Sequence, residues 1–176
     1  MAEKKSMNET IDALTKISRG ITSELYLDDI LKLIVTVTAE ALVSKICTLM
    51  LLDEKKELVI KASQSISDEY LKKPPLKIGE GLVGMVVKEK KLMFAYDISK
   101  DKYYVYKEIA KKEGLKSVLC VPLLVKDRVI GAIDIYSTVF HKFKKREIDI
   151  LTMVANQAAV VIENTELIVK TKVIQE

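Results

Sequence analysis

Val118-Leu119-Cys120-Val121-Pro122-Leu123-Leu124-Val125 and, across Lys126-Asp127, Val129-Ile130-Gly131-Ala132-Ile133-Asp134-Ile135-Tyr136 decide the architecture of this chain. Both runs are aliphatic and β-branched, and charged residues separate them, so they read as strands. A turn this short joins strands only in antiparallel fashion. An earlier pair repeats the design: Ile46 to Leu52 and Leu58 to Ala62 flank the polar turn Asp53-Glu54-Lys55-Lys56. Leu92 to Tyr96 supplies a fifth, brief strand.

Outside these strands the apolar period lengthens to that of a helix. Met7, Ile11, Leu14, Ile17 and Ile21 form one stripe over residues 7 to 22. A second helix covers residues 27 to 43, with Asp28 and Asp29 in its first turn, where negative charge suits the helix dipole. Residues 67 to 73 predict a short helix stopped by Pro74 and Pro75. Another short helix follows Gly79-Glu80-Gly81, from about Leu82 to Lys90. Tyr103 to Glu113 predicts a helix closed by Gly114, and a long final helix starts near Lys144. Helices before, between and after antiparallel hairpins predict an α+β domain.

The chain has 176 residues, 49% of them hydrophobic, enough for one domain with a substantial core. No apolar run is long enough to span a membrane. The opening Met-Ala-Glu-Lys-Lys-Ser lacks the apolar centre of a signal peptide, so a cytoplasmic location is expected. The net charge of +4 comes from intermixed Lys and Glu. A nucleic-acid footprint would instead gather base on one face, so no direct nucleic-acid partner is expected. Cys47 and Cys120 both sit in apolar runs and read as buried thiols. One histidine, His141, and scattered cysteines offer no metal-ligand spacing. No metal, no required cofactor and no catalytic residue is therefore expected. The bases from Lys142 to Arg146 read as a solvated face near a helix start.

Gly79-Glu80-Gly81-Leu82-Val83-Gly84 matches G-x-G-x-x-G literally. The context of a dinucleotide site is missing, because Lys73-Pro74-Pro75-Leu76-Lys77-Ile78 is a poor strand and the neighbouring strands are hairpins. The glycines instead shape a turn and direct the amides of a helix start. Tyr96, Tyr103, Tyr104 and Tyr106 crowd one stretch, and tyrosine suits a ligand cavity by its apolar ring and polar tip. By period two, Ile130, Ala132, Asp134 and Tyr136 share one face of their strand. An acid there is exposed, paired, or awaits a ligand cation such as an amine; exposure is the simplest expectation, since burial alone is costly. The candidate ligand residues are thus Gly79, Gly81, Leu82, Val83, Tyr96, Asp97, Tyr103, Tyr104, Cys120, Asp134 and Tyr136.

The final helix carries an assembly signal. Ile148, Leu151, Ala155, Ala158 and Ile162 form one stripe, and Val154, Val161 and Ile168, seven residues apart, form a second. One stripe covers the sheet. The other, with Ile11, Leu14 and Ile21 of the first helix, is left for a second copy in a homodimer.

The order of these motifs resembles the GAF family from about Leu25 to Leu167. Ile78 to Gly84 looks like that family's turn and short helix, and Ser117 to Leu123 like its central strand. Val129 to Ile133 looks like the strand that follows. The closing helix is matched by Phe143, Glu147, Leu151, Ala155, Gln157, Ala158, Glu163 and Asn164. The resemblance implies a PAS-like sheet ordered 2-1-5-4-3, with the terminal helices on one face and a ligand cavity on the other. It implies residues 1-24 as a dimerising linker helix, 25-167 as the domain and 168-176 as an extension of a signalling helix. It further implies a regulatory dimer that binds an unknown small molecule and acts on an output domain or partner regulator. The cyclic-nucleotide signature is absent: Ser137-Thr138 stands near its Asn-Lys place, and Phe143 lacks the acidic pair that follows. Neither cysteine has the neighbouring histidine of a bilin attachment site. Free methionine-sulfoxide reductases, the enzymes of the family, carry cysteines where this chain has Leu82-Val83. Gly131 to Ser137 nevertheless looks like their substrate-binding strand, with Tyr136 in place of a second acid. Two alternatives accompany the sensor reading: a structural dimerisation module with a vestigial pocket, and a thiol-dependent reductase acting through Cys120.

Overall fold

The computed structural model describes residues 27–44, 46–64 and 67–174, with side-chain surroundings through residue 167. The helix expected over residues 7 to 22, with Ile11, Leu14 and Ile21, lies outside the described residues, as do the surroundings of Ile168. In chain order the elements are α1 (Leu27–Ala41), β1 (Ile46–Leu52), β2 (Glu57–Gln64), α2 (Asp68–Leu71), β3 (Leu76–Lys77), α3 (Gly81–Glu89), β4 (Met93–Ala95), α4 (Lys107–Lys112), β5 (Ser117–Val125), β6 (Arg128–Ser137) and α5 (Lys145–Ile174).

The six strands form one antiparallel sheet ordered β3-β2-β1-β6-β5-β4. The five expected strands stand in the expected sequence, and the two-residue β3 adds an edge beside β2. The first hairpin turns where Asp53 Oδ1 accepts the amides of Lys55 and Glu57, both at 2.9 Å. This is the local side-chain bond by which Asp favours turns. Gly131 lets β6 run against β1: a Cβ there would stand 2.1 Å from the Met50 carbonyl oxygen. Pro122 pairs with Ala132 on β6, beyond the last β4 partner at Cys120. Its missing N–H therefore costs the sheet no bond to β4.

Strand alternation divides the interior into two cores. On one face Cys47, Leu49 and Leu51 of β1, Leu119, Val121 and Leu123 of β5, and Ile133 and Ile135 of β6 pack beneath α1 and α5. The opposite residues, including Ile46, Met50, Val118, Cys120, Ala132 and Tyr136, pack beneath α3 with Tyr70, Tyr104 and Ala110. Each fully buried Leu or Ile contributes about 1.5–3 kcal/mol by leaving water, so both faces hold the sheet.

Two expectations are corrected. The helix expected over Tyr103 to Glu113 is shortened to α4, because Asp101 Oδ1 takes the amides of Tyr103 and Tyr104, each at 2.9 Å, in a turn. In α5, Val154 and Val161 are buried with Leu151, Ala155 and Ile162. The core-facing stripe is wider than the one expected, so these two valines face the sheet side and not a partner. Among the described side chains of α5, Met153, Val160 and Leu167 are the large apolar residues left exposed. At 30 residues this helix is about 45 Å long at 1.5 Å per residue.

Candidate ligand site

A polar row crosses the middle of the sheet on the α3 side. Ser63 of β2 pairs with Thr48 of β1, Thr48 with Asp134 of β6, and Asp134 with Cys120 of β5. A bulge between β1 and β2 beyond Leu49 separates this row from the Met50–Ile60 pair below it. All four residues are buried, and Asp134 keeps only 1% of its surface exposed. From the sequence, exposure is the simplest expectation for Asp134. The segments before and after α3 overturn it, because they close over the face on which period two places the acid.

Two such segments do the covering. In the first, Ser67 Oγ accepts the Tyr70 amide at 3.0 Å and starts α2. Pro74 then stops the chain from continuing as helix. Tyr70 points inward with no exposed surface, and its hydroxyl receives a bond from Thr48 Oγ1 at 3.1 Å. Lys73, three residues on and thus on the same side of the turn, folds its Nζ to 3.7 Å from the Tyr70 ring centroid. In the second segment Asp101 fixes Tyr104, which is buried and meets Tyr136, hydroxyl to hydroxyl, at 3.4 Å. Tyr106 ties the segments together, donating to the Pro74 carbonyl at 2.7 Å. Lys112 and Glu69 pair across the same seam at 2.7 Å.

The tyrosines meet edge to face. Tyr136 lies 5.8 Å from Tyr70 and 6.3 Å from Tyr104, centroid to centroid. Tyr136 also donates a long bond, 3.5 Å, to Asp134 Oδ2. Asp134 Oδ1 is buried with no hydrogen-bond partner. Burial pushes the Asp134 carboxyl up to about 7, opposed by the Lys73 ammonium and by bonds from Tyr136 and Thr48. Burial pulls Lys73 down to about 8, with the Asp134 charge acting the other way. The Cys120 and Cys47 thiols are raised, first by burial and then by Asp134. A thiol so placed is a poor nucleophile, because the thiolate is the reactive form.

A family model described as GAF domain matches residues 24–163. The chain belongs to the GAF domain family. It is 27% identical over 172 residues to a methyl sulfide methyltransferase-associated sensor of Methanosarcina acetivorans, covering 94% of this chain and 17% of that protein. It is 26% identical over 154 residues to the nitrogen fixation protein AnfA of Azotobacter vinelandii, covering 85% of this chain and 29% of that one. The chain therefore spans less than a third of the length of either relative. Among solved structures it is similar to the GAF domain of a phosphoenolpyruvate-protein phosphotransferase from Coxiella burnetii, with a TM-score of 0.78, 24% identity, and 92% and 96% of the two chains covered. It is likewise similar to free methionine-R-sulfoxide reductase of Neisseria meningitidis in complex with its substrate, with a TM-score of 0.74, 19% identity, and 92% of each chain covered. At these identities the structures share a fold.

Within this GAF domain the expected ligand residues separate into two groups. Leu82, Val83, Tyr104, Cys120, Asp134 and Tyr136 come together, with Tyr103 packed at the margin. Gly79 and Gly81 form the joint into α3, with positive φ at both. The Gly79 amide bonds the Gly84 carbonyl and the Glu80 amide bonds that of Lys77, so these two amides are used within the turn. Tyr96 and Asp97 lie elsewhere. Tyr96 is exposed and stacks on Phe140 at 5.5 Å. Asp97 accepts the Ser99 amide and hydroxyl in a turn and pairs with Lys100. Tyr70, Lys73 and Thr48 belong to the site and were missed, whereas Tyr106, one of the crowded tyrosines of the sequence, joins it. The signal for the first two was present, since Ser67 before Asp68-Glu69-Tyr70 is a helix start that sets Tyr70 and Lys73 three apart. His141 sits apart from the site. It meets Glu147 at 2.8 Å, and Glu147 also accepts the Lys144 amide at 2.7 Å, as in a helix capping box. Among the described residues no helix is long and apolar enough to cross a membrane, and no cluster of three or more His, Cys, Asp or Glu could hold a metal.

Proposed function

We propose that this GAF domain is a non-catalytic sensor that binds a small molecule at the Asp134 site and passes the event to a dimer through α5. The observation that carries the reading is the buried, unpartnered Oδ1 of Asp134. Such a group is destabilising where it stands, at about 1–3 kcal/mol, and a ligand N–H would satisfy it. The covering segments around Lys73 and Tyr104 are where a ligand can enter, since they are short, turn-rich and tied by side-chain bonds. A bound molecule would change how they press on α3 and the sheet. It can shift the helices only by its differential affinity for the two arrangements. The sensor relative, of which this chain covers 17%, favours an attached output domain as the receiver.

Native mass spectrometry, compared with the denatured mass, tests the reading. We expect a dimer with a reproducible small extra mass, or one acquired on exposure to a metabolite extract, and loss of that mass in Asp134→Asn. Adduct retained in Asp134→Asn moves the ligand off this site. No adduct from cells or extract leaves a structural dimerisation module. Turnover that depends on Cys120 would make the domain an enzyme instead.

A further inference from the structure

The Asp134 site already holds a cation, and it belongs to the chain itself. The Lys73 ammonium lies 3.7 Å from the Tyr70 centroid, 5.4 Å from that of Tyr106 and 6.0 Å from that of Tyr136. One ammonium set over three rings within about 6 Å of their centroids is the geometry of cation–π recognition, and aromatic cages of this kind hold alkylammonium ligands. Among the described residues no carboxylate lies within 4.0 Å of Lys73 Nζ. The charge is therefore held by rings, and Asp134, the acid that would complete its pairing, keeps Oδ1 free of any hydrogen bond. The fit is incomplete in a definite way. Lys73 reaches the rings from a turn pinned between Ser67 and Pro74 and stops short of the carboxylate.

We propose that Tyr70, Tyr106, Tyr136 and Asp134 form an ammonium site that Lys73 fills in cis, and that the ligand is a small alkylammonium ion that takes its place. This rests on the reading of the Asp134 site as a ligand site and names the chemistry of its ligand. The last carbon and nitrogen of a lysine side chain are methylammonium in all but the bond to the stem. A free alkylammonium has the same head and no tether. It can meet the ring faces and also donate to Asp134 Oδ1, which Lys73 does not do. Removing Lys73 should therefore strengthen binding: a site open only part of the time binds with its intrinsic affinity reduced by that fraction. An anchor for a ligand anion would behave in the opposite way, since losing Lys73 would abolish binding.

The probe is methylammonium chloride, titrated into the purified chain against potassium chloride at equal ionic strength. The chain has seven tyrosines and no tryptophan, so near-ultraviolet circular dichroism reads the tyrosines directly. Lys73→Ala is expected to bind methylammonium roughly fivefold more tightly than the wild type, or better, within the range of one cation–π contact. Lys73→Met keeps the apolar stem, guards against misfolding, and is expected to gain in the same direction. Adding Asp134→Asn to either should remove the gain. Equal or weaker binding by both Lys73 variants overturns the cis occupant, yet leaves the native-mass adduct as a separate measure of sensing. Acetate binding to the wild type that vanishes in both variants also overturns it, by making Lys73 an anion anchor.

Discussion

Asp134 is a residue whose protonation has a sign that can be worked out. In an unfolded chain its carboxyl ionises near 4, and in the fold burial raises it to about 7. Between these values the native chain holds a proton that the unfolded chain has lost, so stability is full below about pH 4 and falls as pH rises to 7. A three-unit shift corresponds to about 4 kcal/mol at most, and relaxation around the acid reduces that to roughly 2–4 kcal/mol. Lys73 has the opposite slope. Its pKa falls to about 8 in the fold, so the unfolded chain holds more protons from there to its ordinary value, and stability recovers with rising pH. The other titratable groups near the acid are Cys120, Tyr70, Tyr104 and Tyr136 on its own face and Cys47 on the opposite face of the sheet, all raised by burial. They stay neutral through the acidic window. Urea unfolding at pH 4.5 and 7.5 should therefore show a wild-type loss that is smaller by about 2–4 kcal/mol in Asp134→Asn. Parallel profiles for the two proteins would mean that Asp134 ionises in the fold at no special cost.

At the scale of elements, the sheet depends on a close approach that only glycine permits. A Cβ at Gly131 would meet the Met50 carbonyl oxygen at 2.1 Å and the Leu51 Cα at 3.0 Å, both backbone atoms that cannot rotate away. Gly131→Ala must push β6 from β1, and we expect it to destabilise the domain by about 2–4 kcal/mol in chemical denaturation. Gly114→Ala is the control, since nothing stands within 4 Å of its added Cβ and only the positive φ of 70° resists. A loss at Gly131 no larger than at Gly114 would show that the strands can part freely. The two hairpins were legible in the sequence because charged turns and aliphatic runs alternate on a short scale that needs no tertiary knowledge. The site was legible only in part. Period two put Asp134, Tyr136 and Ala132 on one face, but periodicity does not reveal what will cover a face. Lys73 and Tyr70 sit in a segment that reads locally as a short helix before two prolines, and nothing local says that it closes over the sheet. Tyr96 and Asp97 show the converse, for a cluster of tyrosines in sequence was divided when Asp101 captured the amides of Tyr103 and Tyr104 and turned the chain inward.

The whole molecule is asymmetric about α5, and the asymmetry points to assembly. Leu151, Val154, Ala155, Ala158, Val161 and Ile162 are all buried against the sheet and α1. On the outer side, Met153, Val160 and Leu167 are 44%, 47% and 55% exposed. They recur every seven residues, the repeat by which one helix keeps a seam toward another. Single exposed hydrophobics need no explanation, but three at heptad spacing along one helix make a continuous line. A straight helix drifts only about 20° per heptad from such a line, so two copies could pack there with slight supercoiling. A change at the candidate site can reach this seam through the sheet, because α5 packs on the opposite face of β5 and β6 from Tyr136 and Cys120. Val160 is the middle of the seam and makes no part of the core, so Val160→Glu should leave the monomer folded. We expect light scattering to give twice the chain mass for the wild type and once that mass for Val160→Glu, with unchanged far-ultraviolet circular dichroism. A wild-type monomer would remove the seam as an interface. A variant that stays dimeric would move the interface to another surface and cut the proposed link between ligand and helix packing.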